Sequence, residues 1–358
     1  MNILDFNINI ITTHVPFIAI SRYAEDLYKA MEKESTLYSL VTTKSYYDEG
    51  IIDGANVIFG MFPYYPDRFN LNKIFPRLAF RKFNKRFLTN NKKITINHYT
   101  AQYIRPFQIN ETDVVTVHDI MQLNGTEHAN LFERHFLLKN LALYNKFKNV
   151  IVDTDYVKGQ LIDYGFTGNI TKINLPASDS FYPINDKVAL RRELHLPLND
   201  SLILLVGGNA SRKNIKLVET LISKFSASIK FVRVGPPLDG CYNFHQIDKY
   251  TLNKIYNSCD ALIQPSLDEG YGYPIVEAMR CGLPIACSNI APFRELADGC
   301  ASFFDPNSAS EAWGAIKESL NSGEKVKAKL LDRSENFTFS KFKIEMRDYY
   351  GELVNSVC

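Results

Sequence analysis

Short apolar, strand-like runs alternate along this chain with longer segments of helical character, which is the signature of parallel α/β architecture. In the first half the pattern predicts strands near Asn2–Phe6, Leu37–Thr42, Asn56–Gly60, Lys93–Asn97, Val114–Val117, Val150–Asp153 and Ile170–Asn174. Helices are predicted at Ser21–Met31, Arg77–Leu88, Leu131–Phe147 and Asp155–Tyr164. A second series opens with strands at Leu202–Val206, Ile229–Val234, Asn243–Gln246, Ala261–Gln264, Ile285–Ser288 and Ala301–Phe304. Its helices fall at Asn214–Phe225, Thr251–Ser258, Pro274–Cys281, Ala309–Leu320 and Ser340–Val354. Between the series, Phe181 to Asp200 carries Pro183 and Pro197 without a strand pattern and reads as a connection. The expectation is two Rossmann-like, doubly wound domains facing each other across a cleft. The first spans residues 1–180 and the second 181–340.

At 358 residues the chain has room for two such cores, and 46% hydrophobic with 22% charged residues is ordinary for a globular protein. A net charge of +2 gives no global reason to expect nucleic acid. The six cysteines show no zinc spacing. No plausible Asp/Glu/His metal cluster is seen, so neither a metal nor a cofactor is expected. The first residues look like an opening strand rather than a leader, and no apolar run approaches a membrane span. A cytoplasmic location is the expectation.

Candidate chemistry concentrates between Pro265 and Pro284, P-S-L-D-E-G-Y-G-Y-P-I-V-E-A-M-R-C-G-L-P. Glu269 sits on a loop at the C-terminal end of a buried strand. Glu277 follows with seven residues between them, one turn into a helix that stops at Gly282. In an open α/β sheet that strand end is where ligands bind. Gly270 and Gly272 permit close backbone approach, and a helix start favours a negative ligand. The second stretch runs from Leu204 to Asn214, where a buried strand ends in Gly207-Gly208 and a helix opens with Arg212-Lys213. Cations in a first helical turn oppose the macrodipole, and an anion held between them removes the conflict. Arg212 offers a planar fork for phosphate, and Lys213 a point charge. A solvated surface pair is the blander alternative, and the glycine turn argues against it.

These two segments together resemble the retaining glycosyltransferases of family 4, specifically over about residues 202–304 and loosely elsewhere. Asp248 to Tyr256 and the Phe337-Thr-Phe start of the last helix agree with the resemblance. It implies a GT-B fold whose C-terminal helix, about residues 341–358, returns to the first domain. It further implies that Arg212 and Lys213 neutralise the diphosphate of a nucleotide sugar, UDP- or GDP-linked. Glu277 would hold the ribose and Glu269 the transferred sugar. Gly270, Tyr271, Gly272, Tyr273, Pro274 and Ile275 would line sugar and phosphate through their backbone.

In the first half, Val114-Val-Thr-Val-His118-Asp119 ends another buried strand. The family's His-Asp pair at this point makes His118 an expected active-site residue and Asp119 a candidate on the acceptor side. His98 has two readings, acceptor contact and loop packing. The family's glycine loop before an Arg-Tyr pair is replaced here by Val15-Pro-Phe-Ile-Ala-Ile-Ser21-Arg22-Tyr23, which puts acceptor placement in question.

The predicted helix Arg77–Leu88 carries Arg77, Arg81, Lys82, Lys85 and Arg86 beside Phe80, Phe83 and Phe87. Core packing with a solvated basic face is the simpler account. Peripheral docking on the inner membrane face or recognition of a charged acceptor is the sharper one. The expected function is therefore metal-independent, retaining hexosyl transfer from a nucleotide sugar to a hydroxyl of a glycan or lipid-linked acceptor. The alternative is a non-catalytic sugar-nucleotide-binding subunit.

Overall fold

Strand Leu202–Val206 shows how the sequence builds this protein. Its Leu202 and Leu204 join one apolar cluster and Ile203 and Leu205 another, so both faces are buried and helices must cover each. The computed structural model describes residues 6–13, 19–31, 34–41, 56–59, 94–100, 109–121, 142, 144–225 and 227–356. The helix expected at Arg77–Leu88, most of that at Leu131–Phe147, and Val15 to Ile18 lie outside them.

The first sheet comprises β1 (Phe6–Thr13), β2 (Ser35–Val41), β3 (Asn56–Phe59), β4 (Ile94–Tyr99), β5 (Val114–Val117), β6 (Asn149–Val152) and β7 (Asn169–Lys172). Its order is β3-β2-β1-β4-β5-β6-β7, parallel throughout. The second comprises β8 (Leu202–Val206), β9 (Lys230–Val234), β10 (Cys241–Phe244), β11 (Ala261–Gln264), β12 (Ile285–Ser288) and β13 (Ser302–Phe304). Its order, β10-β9-β8-β11-β12-β13, repeats the reversal after the first strand. Chain direction across the sheet thus switches between β1 and β4, and again between β8 and β11. Crevices at the carboxyl ends of such strand pairs are where open α/β sheets take ligands.

The described helices are α1 (Ala19–Ala30), α2 (Asp155–Asp163), α3 (Lys187–Glu193), α4 (Ile215–Phe225), α5 (Lys249–Ser258), α6 (Tyr273–Cys281), α7 (Ala291–Ala297), α8 (Ala309–Leu320), α9 (Gly323–Ser334) and α10 (Phe339–Asn355). The doubly wound architecture is as the alternation predicts. Differences are local. β1 runs on to Thr13, beyond the expected end at Phe6. Helix α3, capped by Asp186, lies within the stretch read as a plain connection. Helices α7 and α9 were not anticipated. Each lacks a side-chain N-cap bond, so neither announces its start.

Helix α10 buries Phe342, Met346, Tyr350, Leu353 and Val354 in the cluster that holds Tyr23, Ala24 and Leu27 of α1. Tyr350 reaches β4, where its hydroxyl lies 2.5 Å from His98 Nδ1. The other ring nitrogen meets Thr116 Oγ1 at 2.7 Å. His98 is fully buried, and its pKa is lowered to about 3, first by burial and then by the nearby His118. Its ring ties the C-terminal helix to the first sheet.

Replacing Tyr350 with Phe strands a buried imidazole nitrogen. Loss of such a partner costs about 1–3 kcal/mol. A denaturant titration of Tyr350→Phe should show the unfolding free energy lowered by that amount, through a lower midpoint with the slope unchanged. An unmoved midpoint would mean that α10 docks by its apolar face alone.

Candidate active site

The loop after β8 and the loop after β11 meet at the second domain's switch point. Gly207, with φ of 141°, and Gly208 turn the chain out of β8. Residues Ser211–Lys213 then form a single 3-10 turn, and Asn214 follows in the left-handed conformation at φ 54°. Arg212 and Lys213 thus precede α4 rather than opening it, which corrects the first-turn reading. The cause is tertiary: Asn214 Nδ2 donates to the carbonyls of Pro265 (3.1 Å) and Pro306 (2.8 Å) and breaks the helix there. Leu267 N–H donates to the Arg212 carbonyl at 2.7 Å, clamping this turn to the loop after β11.

Both cations then converge on Glu269. Arg212 Nη1 donates to Oε2 at 2.6 Å and Lys213 Nζ to Oε1 at 2.5 Å. Ser266 Oγ adds a third donor at 2.7 Å. Glu269 is 6% exposed, and burial alone raises a carboxyl's pKa. Lys213 and Arg212 outweigh that effect and hold it below the ordinary value.

Gly270 lies against the first domain. A Cβ there would stand 2.2 Å from the His118 carbonyl oxygen, so only glycine permits this approach. Its own carbonyl accepts from Thr154 Oγ1 at 3.0 Å, across from α2. Gly272, at φ 150°, caps α6 without a side-chain bond, and Pro274 occupies the helix's first turn. Ile275 N–H is already used by the Gly272 carbonyl at 2.9 Å. The Tyr271 hydroxyl donates to the Leu175 carbonyl at 2.7 Å, and the Tyr273 ring lies under the Arg22 guanidinium at 4.3 Å. These two tyrosines pack the domains together.

Glu277, one turn into α6, is 4% exposed. Arg22 Nη1, from α1, donates to its Oε1 at 2.6 Å, and the Tyr256 hydroxyl to its Oε2 at 2.8 Å. The end of β5 supplies His118. Its Nδ1–H meets Asp153 Oδ2 at 2.7 Å and its Nε2–H meets the Thr100 carbonyl at 2.9 Å. Both partners only accept, so the ring carries both protons. Burial works against that charge, but Asp153 and Thr100 prevail and raise the pKa above its usual value. Asp119 stands at the same seam, its Cβ 2.9 Å from where a Gly270 Cβ would sit.

The structure thus gathers Arg212, Lys213 and Glu269 into one cluster, and His118, Asp119 and Gly270 into an interdomain contact. His98 is not among them. Its enclosed ring does not match acceptor contact and corrects that reading towards packing. Asp153 and Arg22 were not picked as site residues, because their partners come from other strands and from the other domain. Asp153-Thr154-Asp155 has an Asp-x-Asp spacing, also overlooked. Its carboxylates diverge, one to His118 and the other to Lys172 Nζ at 2.6 Å. Among the described residues no three His, Cys, Asp or Glu side chains converge as a metal set, and no helix is long and apolar enough to cross a membrane.

The two histidines titrate in opposite senses. The His118 pair contributes stability that is complete below an unfolded-state pKa of about 6.5 and is lost as pH rises through its raised folded value. Neutral His98 contributes above about 6.5, and that contribution is lost as pH falls towards about 3. Unfolding measured across this range should show both limbs, and Asp153→Asn should remove the alkaline one. A variant that keeps it would place the charge elsewhere.

Comparison with known proteins agrees with this architecture. Residues 239–334 match the family model "Glycosyl transferases group 1". The O-antigen chain mannosyltransferase RfbU of Salmonella typhimurium is 26% identical over 246 residues, covering 64% of this chain and 65% of that protein. The chain spans less than two thirds of the length of the curated relatives it matches first. Among solved structures, sucrose-phosphate synthase from Thermosynechococcus elongatus superposes with a TM-score of 0.77 at 18% identity, covering 97% of this chain and 99% of that one. Anabaena HepE, in complex with UDP and glucose, gives 0.73 at 15% identity, covering 96% and 99%. Residues 239–334 are thus similar to the group 1 glycosyltransferases, and the chain as a whole has the GT-B fold.

Proposed function

We propose that this protein is a retaining glycosyltransferase of family 4, moving a sugar from a nucleoside-diphosphate donor to a hydroxyl of a growing glycan. The mannosyltransferase names of its relatives make mannose the first sugar to test. The observation that carries the reading is the convergence of Arg212, Lys213 and Glu269 at a switch point. Two cations on one carboxylate leave a net positive site at the end of β8, suited to a diphosphate.

In the reaction the bond between the anomeric carbon and the diphosphate oxygen breaks. The acceptor oxygen bonds to the same face of that carbon, and its proton passes to the departing phosphate. Arg212 and Lys213 neutralise the leaving group, the task a metal performs in other transferases. Glu269 holds sugar hydroxyls and presets both cations. His118, protonated on both nitrogens, serves as a fixed positive group rather than a base.

Incubation with UDP-, GDP- and ADP-linked hexoses, followed by chromatography of released diphosphate, tests the reading. The anomeric configuration of the product tests retention. Release from none of these donors in the presence of acceptor glycans would overturn it.

Arg212→Ala and Lys213→Ala should each reduce turnover about a hundredfold, the usual cost of one such electrostatic contact. Near-normal turnover in both would remove them from the leaving-group site. The two glutamates should separate. Glu277→Gln acts on the unreacting ribose and should weaken nucleoside-diphosphate binding and raise KM. Glu269→Gln removes the charge that offsets both cations, so diphosphate affinity should hold or rise while turnover falls. Calorimetry beside kinetics decides this, and the reverse pattern would exchange their roles.

A further inference from the structure

Arg22 stands where the two domains meet and is built in tightly for a cation. Its side chain is 15% exposed, and Nη1 is committed to Glu277 at 2.6 Å. The guanidinium carbon lies over the Tyr273 ring, 4.3 Å from its centroid, and 5.9 Å from that of Phe181. Glu277 is fixed from its other side by Tyr256, whose ring meets Phe181 edge-on. Yet Nε and Nη2 of Arg22 are buried and, among the described residues, have no hydrogen-bond acceptor. Asp26 Oδ2 is 4.0 Å from Nε, beyond hydrogen-bond range. Buried guanidinium N–H groups without acceptors are costly, and a planar fork with two donors free matches oxygen pairs. Glu277 has capacity to spare, since a carboxylate offers about four lone-pair sites and two are taken here.

We propose that Arg22 is a nucleotide-binding residue supplied by the first domain, holding Glu277 with Nη1 while Nε and Nη2 take oxygens of the nucleotide's ribose–phosphate unit. This rests on the donor reading above and extends it. The nucleotide then touches both domains at once, because the carboxylate assigned to its ribose is already held from α1. Binding of the nucleotide and apposition of the domains become one event at this residue. An Arg at this position acts through its fork, so a lysine, which retains the charge, is not an adequate replacement.

Calorimetric titration with UDP, GDP and ADP, beside thermal unfolding, tests this on the full chain as wild type, Arg22→Gln and Arg22→Lys. Wild type should bind at least one of the three. Arg22→Gln should lose about tenfold or more in affinity for it, the scale of one or two hydrogen bonds involving a charged group. Arg22→Lys retains a cation for Glu277, so it should unfold close to the wild-type temperature and still lose most of that affinity. Three results would overturn the proposal: Arg22→Gln binding within about twofold of wild type, as for a purely structural bridge; tighter binding, as for a side chain that merely occupies the ribose's place; or full affinity in Arg22→Lys, as for a charge without need of a fork. Failure of wild type to bind any of the three would instead overturn the donor reading itself, and this proposal with it.

Discussion

A carboxylate that is almost wholly removed from water must be compensated, and Glu269 sets that requirement at the centre of this protein. Left alone it would take up a proton or favour unfolding, because the desolvation of a single ion costs several kcal/mol. Arg212, Lys213 and Ser266 meet it from two different loops. Those loops are brought together only because β8 and β11 are sheet neighbours across a switch in chain direction. Asn214 and Leu267 then lock the loops to each other through backbone bonds. The cluster therefore depends on the topology, and the loops on either side hold the conformation that the cluster demands.

The same logic recurs across the seam. Glu277 is as buried as Glu269, but its compensating cation comes from the first domain, through Arg22. Gly270 admits the His118 backbone to a distance that any side chain would forbid. Thr154 caps α2 by accepting from Val157 and donates to the Gly270 carbonyl, so one hydroxyl serves both domains. The two halves are thus joined by charge and close backbone contact where the strands' carboxyl ends face one another, and by an apolar cluster beneath α10.

Much of this was legible in the sequence, for identifiable reasons. β5, β8, β11 and β12 begin and end as the apolar runs predict, since strands buried on both faces write their length directly. The cap at Gly282 was readable because a left-handed residue ending a helix is normally glycine. What stayed hidden was tertiary or conformational. Asp153 looks like any residue ending a strand, and only the pairing of β5 with β6 sets it beside His118. The Arg22–Glu277 pair spans 255 positions. Asn214 looks like an ordinary helix cap, and its left-handed turn depends on carbonyls supplied by Pro265 and Pro306. His98 kept two readings in the sequence because a histidine ending a strand looks the same whether it faces a cleft or the underside of α10.

Net charge also proves a poor guide to a site of this kind. The chain's formal +2 is nearly neutral for its length, yet its charged groups are sharply organised locally. The second domain contributes two cations around one carboxylate, and beside them a second carboxylate that depends on a cation from across the seam. The first domain contributes that cation and a doubly protonated histidine held by Asp153. Arg212 and Lys213 belong to one side of the seam and Arg22 and His118 to the other, with the carboxylates fixing where each cation sits. Preorganisation of this sort acts without a large overall field, because the strength of a charge pair at a few ångströms depends on local burial rather than on the molecule's total. A sequence-level sum averages this away. Pairing each charge with its neighbour in the fold recovers it.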